Sequence, residues 1–259
     1  MATDLITALL IAVVQGITEW FPVSSSGHLV IFEKLLNFNG GLFFDVALHF
    51  GTLMAVFVYF GKDITDIIQD LLKMRFGSEN ARLGLLLIVA TIPAALVGFF
   101  FKDVFEFAFG NLGIVALGFG ITGLFLFIAS LDFGRERRLG AFGALLIGFS
   151  QVLSLFPGIS RSGATISSGL LFGLREEQAV KFSFLMSIPI IFGANILVIG
   201  SNKLSPELIW ATLVSFLVGL LAIHLVYRYV LTSKKNLRWF GVYALILAVV
   251  IGIFLLVQR

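Results

Sequence analysis

Two stretches of this 259-residue chain concentrate its reactive side chains. The first is Gln15-Gly16-Ile17-Thr18-Glu19-Trp20-Phe21-Pro22-Val23-Ser24-Ser25-Ser26-Gly27-His28, and the second is Pro157-Gly158-Ile159-Ser160-Arg161-Ser162-Gly163-Ala164-Thr165. The first sets a carboxylate (Glu19), hydroxyls (Ser24, Ser25, Ser26) and an imidazole (His28) close together in the chain. Histidine exchanges a proton near neutral pH, Ser25 can attack or bind phosphorus, and Glu19 can orient His28 or hold a divalent cation. The second carries Arg161, whose guanidinium fork suits the paired oxygens of a phosphate. Each stretch closes on Ser-Gly before an apolar run. Serine there caps a helix, glycine (Gly27, Gly163) lets a ligand approach the backbone, and the helix start favours an anion. A hydrolytic group beside an anion clamp is the chemistry these residue types describe.

The chain around these stretches belongs in lipid. It is 59% hydrophobic and 13% charged with a mean hydropathy of +1.05, where soluble chains carry roughly 25% charged residues. An ordinary soluble domain and a disordered chain are both excluded. Cysteine is absent, which removes disulfides and thiolate chemistry. The net charge of +3 does not imply nucleic acid, because the basic residues sit in short loops between apolar runs. The N-terminus has neither a basic region nor a cleavage site, so no removable signal peptide is expected.

Six runs are long enough to cross about 30 Å of hydrocarbon: Leu42 to Gly61, Leu83 to Phe101, Leu112 to Leu131, Phe182 to Ile199, Leu208 to Val226 and Trp239 to Val257. The two reactive stretches interrupt further apolar regions, so that residues 5–36 and 139–174 each read as helix, polar break, helix. Thirteen of the eighteen Lys and Arg fall in four loops: Lys62 to Arg82, Arg135 to Arg138, Arg175 to Lys181, and Arg228 to Arg238. All thirteen lie in the cytoplasm if each broken region enters and leaves on one side. The expected fold is an all-α polytopic membrane protein, one integral membrane domain over 1–259, with six transmembrane helices and two re-entrant helical hairpins. Each half, about 1–131 and 139–259, is then one hairpin and three spans, which makes the halves an inverted repeat. Gln15 to Gly27 and Gln151 to Gly163 align without gaps and match at Gln, two Ser and Gly.

Non-helical backbone at membrane depth must be buried in protein or line a wet cavity, so the breaks mark the site. Arginine there costs about 2.5–3.5 kcal/mol and needs an anionic partner. That partner is a bound phosphate, or Glu19 in an internal pair that ligand binding releases. Asp45 and His49, one turn apart in a span, either support the site or form an interfacial polar stripe. His224 reads as interfacial, and Pro93, Pro189 and Asn195 as kink and packing residues.

These motifs closely resemble the two signatures of the bacterial undecaprenyl-diphosphate phosphatases, the bacitracin-resistance family. The resemblance implies a hydrolase of the bacterial cell (inner) membrane that removes the terminal phosphate of a C55 polyprenyl diphosphate. That reaction recycles the carrier lipid for peptidoglycan and other envelope polymers. It implies Glu19, Ser25, His28 and Arg161 as catalytic residues. Ser24, Ser26, Gly27, Ser160, Ser162, Gly163 and Thr165 are expected around the phosphate. It also implies a divalent cation, Mg²⁺ or Ca²⁺, on Glu19 and position 15, and a site open to the outer face. Many members carry Glu where this chain has Gln15, so here an amide oxygen replaces one carboxylate. The nucleophile, Ser25 or a water activated by His28, is left open, as is assembly into a homo-oligomer. The expected partners are the polyprenyl diphosphate and the bilayer.

Inverted repeats with broken helices also build transporters. The Glu19, Ser25, His28 group exceeds what anion transport needs, and phosphate release in detergent separates the two classes. The path itself is testable, because the chain has no cysteine. Single cysteines at positions 73, 201 and 235 are expected to react with an impermeant outside reagent only at 201; labelling at 73 or 235 contradicts the path.

Overall fold

The computed structural model describes residues 2–131, 136–198 and 205–258. Arg135 and Ile199, which enter the charge and span arguments above, and position 201 of the labelling test lie outside the described residues. Every regular element among the described residues is helical. Six helices are long and apolar enough to cross a membrane: α3 (Gly41–Tyr59), α5 (Glu79–Phe100), α7 (Leu112–Ala129), α10 (Glu176–Val198), α11 (Pro206–Leu225) and α12 (Leu237–Val257). They correspond to the six runs read from the sequence. Side-chain caps set where several begin. Ser78 accepts from Ala81 N (3.0 Å), Asn111 from Gly113 N (2.8 Å) and Ser205 from Leu208 N (3.2 Å).

The two interrupted regions fold as α1 (Ala2–Thr18) with α2 (Ser25–Leu35), and α8 (Ala141–Leu153) with α9 (Arg161–Phe172). At 1.5 Å per residue, α2, α8 and α9 are each too short to cross 30 Å of hydrocarbon. Helices α4 (Gly61–Leu72) and α6 (Lys102–Phe109) occupy segments that the sequence reading treats as loops. In α4, Ile64, Ile67 and Leu71 pack on the core, flanked by half-buried Asp63, Asp66 and Asp70, of which Asp63 pairs with Lys181 of α10 (2.6 Å). That periodic stripe is no continuous apolar run, so a search for spans passes over it.

Small residues let the spans meet backbone to backbone. A Cβ at Gly51 of α3 would sit 2.4 Å from the Thr212 carbonyl oxygen of α11, and one at Gly148 of α8 would sit 2.4 Å from the Ala90 oxygen of α5. The Ser215 hydroxyl donates to Leu48 O (2.8 Å), which adds a polar bond to the α3/α11 contact. Register follows from these contacts. Leu48 and Thr52 meet Ser215 and Gly219, so α3 and α11 run parallel; Gly120 and Gly123 meet Ala248 and Gly241, so α7 and α12 run antiparallel. Helix α1 packs on α11 and α8 on α5, so each broken region leans on a span of the other half.

A Gly51→Val substitution is expected to overpack the α3/α11 contact at a cost of about 1–3 kcal/mol. Gly252→Val, at a position whose added Cβ meets nothing within 4 Å, should be close to neutral. Melting temperatures of the purified protein in detergent test the pair.

Candidate active site

Helix α1 ends where Thr18 turns its hydroxyl back onto Val14 O (2.7 Å) and Pro22 removes a backbone donor four residues later. The chain re-enters a helix at Ser24, which adopts φ +68° and accepts from Gly27 N (3.2 Å). The second break is built alike. Ser160 accepts from Gly163 N (3.0 Å), and the hydroxyl pairs Ser24/Ser26 and Ser160/Ser162 lie 3.3 Å and 3.2 Å apart. Gly158 has φ +88° and packs so close to α7 that a Cβ would lie 2.2 Å from Val115 O. Thr122 of α7 donates to Gly158 O (2.8 Å) and accepts from Ser160 N (2.9 Å), which satisfies two backbone groups that the break leaves without helical partners. The breaks also touch each other. The Ser162 hydroxyl donates to Phe21 O (3.2 Å), and a Cβ at Gly27 would reach Gly158 Cα at 3.0 Å.

This contact brings the charges together. Arg161, the first residue of α9, donates from one terminal nitrogen to Glu19 Oε1 and from the other to Ser183 O on α10 (3.3 Å). Its guanidinium lies 5.5 Å from the centroid of the fully buried Trp20 ring, a cation–π contact. Glu19 Oε2 accepts from the Ser25 hydroxyl (2.5 Å) and from Gln15 Nε2 (3.1 Å), and lies 3.4 Å from His49 Nε2. Thr165 bonds to Arg161 O (2.8 Å) and shares a hydrogen bond with the Ser183 hydroxyl (2.6 Å). The Glu19 side chain is 5% exposed, Arg161 13% and His49 25%. The notch therefore opens on the side of His49.

Of the sequence-predicted residues, Gln15, Glu19, Ser25 and Arg161 converge on one carboxylate. His28 does not join them. Its Nδ1 bonds Ser24 O (2.7 Å), its Nε2 the Tyr243 hydroxyl of α12 (2.7 Å), and its ring meets the edge of Phe119. The ring folds back on its own helix start and turns to α12, so Glu19 does not orient it. The imidazole beside Glu19 is that of His49, held at Nδ1 by Asp45 O (2.7 Å). The Ser24 and Ser160 hydroxyls serve as caps that use the Gly27 and Gly163 N–H groups, and Thr165 is bonded internally. The N–H groups of Ser25, Ser26, Arg161 and Ser162, in the first turns of α2 and α9, have no carbonyl partner within their helices. They are the backbone donors available to an anion. Sequence reading missed Thr122, Ser183 and Tyr243 as supports; isolated hydroxyls in apolar spans carry little signal. His49 did carry one, as an ionisable residue in a span.

Among the described residues no three His, Asp or Glu side chains form a metal cage. Gln15 Oε1 is nevertheless a buried acceptor without a hydrogen-bond partner, beside the Glu19 carboxylate. One carboxylate and one amide oxygen suit a hard divalent cation whose other ligands are phosphate and water.

A family model described as bacitracin resistance protein BacA matches residues 8–250. An undecaprenyl-diphosphatase of Rubrobacter xylanophilus is 42% identical, over 98% of this chain and 99% of that protein. Proteins of the same name from Caldicellulosiruptor bescii (42% identical, 97% of both chains) and Thermosipho africanus (38%, 93% of this chain and 97% of that protein) match at similar length.

Thr122→Val keeps the volume but unpairs Gly158 O and Ser160 N. Each unsatisfied group is expected to cost about 1–3 kcal/mol, read as a lower melting temperature in detergent. An unchanged melting temperature contradicts the clamp.

Proposed function

This chain belongs to the bacitracin resistance protein BacA family, and on that premise we propose how its notch works. It is an undecaprenyl-diphosphatase, a multi-pass membrane hydrolase that releases the terminal phosphate of undecaprenyl diphosphate and leaves undecaprenyl phosphate. Recycling of the carrier lipid for cell-wall synthesis and resistance to bacitracin accord with that activity.

The observation that carries the mechanism is the 2.5 Å bond from the Ser25 hydroxyl to Glu19 Oε2, with Arg161 on the other oxygen. The lipid diphosphate enters past His49 and draws the Arg161 fork onto its phosphate oxygens. The first-turn N–H groups of α2 and α9 and the hydroxyls of Ser26 and Ser162 complete the grip. Ser25 attacks the terminal phosphorus as its proton passes to Glu19. The bond from phosphorus to the bridging oxygen breaks, and undecaprenyl phosphate leaves with that electron pair. Glu19 passes that proton to solvent, takes one from the water that attacks the phosphoserine and hands it to the departing seryl oxygen of Ser25, and inorganic phosphate is released. The amides and Arg161 stabilise charge on the equatorial oxygens in both steps. His28 has its Nε2 engaged by Tyr243, so activation of water falls to Glu19, and His28 holds the backbone of the strained Ser24.

Glu19 and Gln15 Oε1 are the residues that would hold Mg²⁺ or Ca²⁺, which when bound offsets the charge of the diphosphate. Two re-entrant hairpins dipping from opposite faces account for the short helices, the meeting of the breaks and the relative directions of the packed spans. The plasma membrane of a bacterium, where the carrier lipid is recycled, is the compartment that fits this activity.

Glu19→Ala, Ser25→Ala and Arg161→Ala are each expected to lower phosphate release in detergent about 10²- to 10⁴-fold. His28→Ala should lose activity as well, through the loop it holds. Acid quenching of turnover on substrate labelled in its terminal phosphate should leave label on Ser25. A Ser25→Ala variant with wild-type turnover excludes the serine nucleophile, and binding without turnover in the wild type excludes the hydrolase.

A further inference from the structure

Glu19 accepts hydrogen bonds from three elements, Gln15 on α1, Ser25 on α2 and Arg161 on α9, and a fourth, α3, places His49 Nε2 3.4 Å from its Oε2. The first three sit at the interrupted regions. His49 alone stands within an uninterrupted span, eight residues from its start. Its Nδ1 faces Asp45 O at 2.7 Å, and a carbonyl only accepts, so that nitrogen carries hydrogen and ties the ring to its own helix. Its Nε2 faces Glu19 Oε2 at 3.4 Å.

The turn of α3 around His49 is held at several points. Thr52 donates to His49 O (2.9 Å), Ser215 donates to Leu48 O (2.8 Å), and Gly51 sits against the α11 backbone. Glu19 itself lies on the break, beyond the last helical residue of α1. During turnover the diphosphate draws Arg161 away from Oε1, and the carboxylate loses its strongest donor while it must stay aligned on Ser25.

We propose that His49 is the positioning residue that holds Glu19 against Ser25 when Arg161 turns to the substrate. Because Nδ1 already carries hydrogen, the ring donates to Glu19 only as the imidazolium, with hydrogen on both nitrogens, and in this role it keeps both. This rests on the Ser25–Glu19 reading given above. A donor role allows replacement by another side chain that presents N–H at similar reach, and it requires that His49 act through Glu19.

The test is steady-state phosphate release from undecaprenyl diphosphate by detergent-solubilised variants whose melting temperatures are recorded alongside. His49→Leu is expected to lower kcat about 10- to 100-fold with KM changed less than about 3-fold, and His49→Gln to recover kcat to within about 5-fold of wild type. In a Glu19→Asp background, where the carboxylate is withdrawn by one methylene, His49→Leu should cost less than about 3-fold more. Wild-type kcat in His49→Leu, equal loss in His49→Gln, or a full multiplicative loss in the Glu19→Asp background would each overturn the assignment. His49→Ala substitutes in the series if His49→Leu does not fold. Failure of the underlying reading shows separately, as phosphate release that survives Glu19→Ala whatever happens at position 49.

Discussion

The structure depends on one buried ion pair that joins residues 142 positions apart. Arg161 and Glu19 sit among apolar helices, where an isolated charge is far more costly than in water. Breaking such a pair by removing one partner typically costs about 3–5 kcal/mol, because the other charge is left without compensation. The two interrupted regions must therefore meet, and their hydrogen bonds are arranged to make them meet. An Arg–Glu pair of this kind is also a substitute that a bound phosphate can displace, since the guanidinium fork fits either oxyanion.

Keeping two breaks open inside apolar surroundings requires that their backbone polar groups be satisfied. Serine caps do this within each break, and Thr122 does it across to α7. The same economy appears on the catalytic side. Ser25 is one residue past a cap, so the helix start that the cap organises also aims the hydroxyl at Glu19. The serine cap and the unpaired first-turn N–H groups are consequences of one local geometry, used twice.

Much of this was legible in the chain itself. The six spans, the two breaks and the convergence of Glu19, Ser25, Gln15 and Arg161 follow from apolar run length, interrupted periodicity and the need of a buried arginine for an anion. The surface helix α4 was not, because a 3.6-residue stripe of isoleucines among aspartates does not register as a span. The two histidines show where proximity in sequence and packing in the fold part company. Proximity in sequence grouped His28 with Glu19, yet a side chain's direction on a helix is set by what it packs against, and Tyr243 lies 215 positions away. His49 reaches Glu19 only through the docking of α3, which no local pattern encodes. Ser183 and Thr122 escaped notice for the same reason.

Trp20 lies directly beneath the Arg161 guanidinium and is wholly shielded, whereas Trp210 and Trp239 face outward at 56% and 65% exposure. In the mechanism proposed above, the cation that swings to meet a headgroup rests on the one indole sealed inside the molecule. Arrival of a diphosphate alters the field on that ring while the two outer ones continue to report only their lipid or detergent surroundings. The enzyme carries its own optical sensor of occupancy, readable from ultraviolet emission without any attached dye.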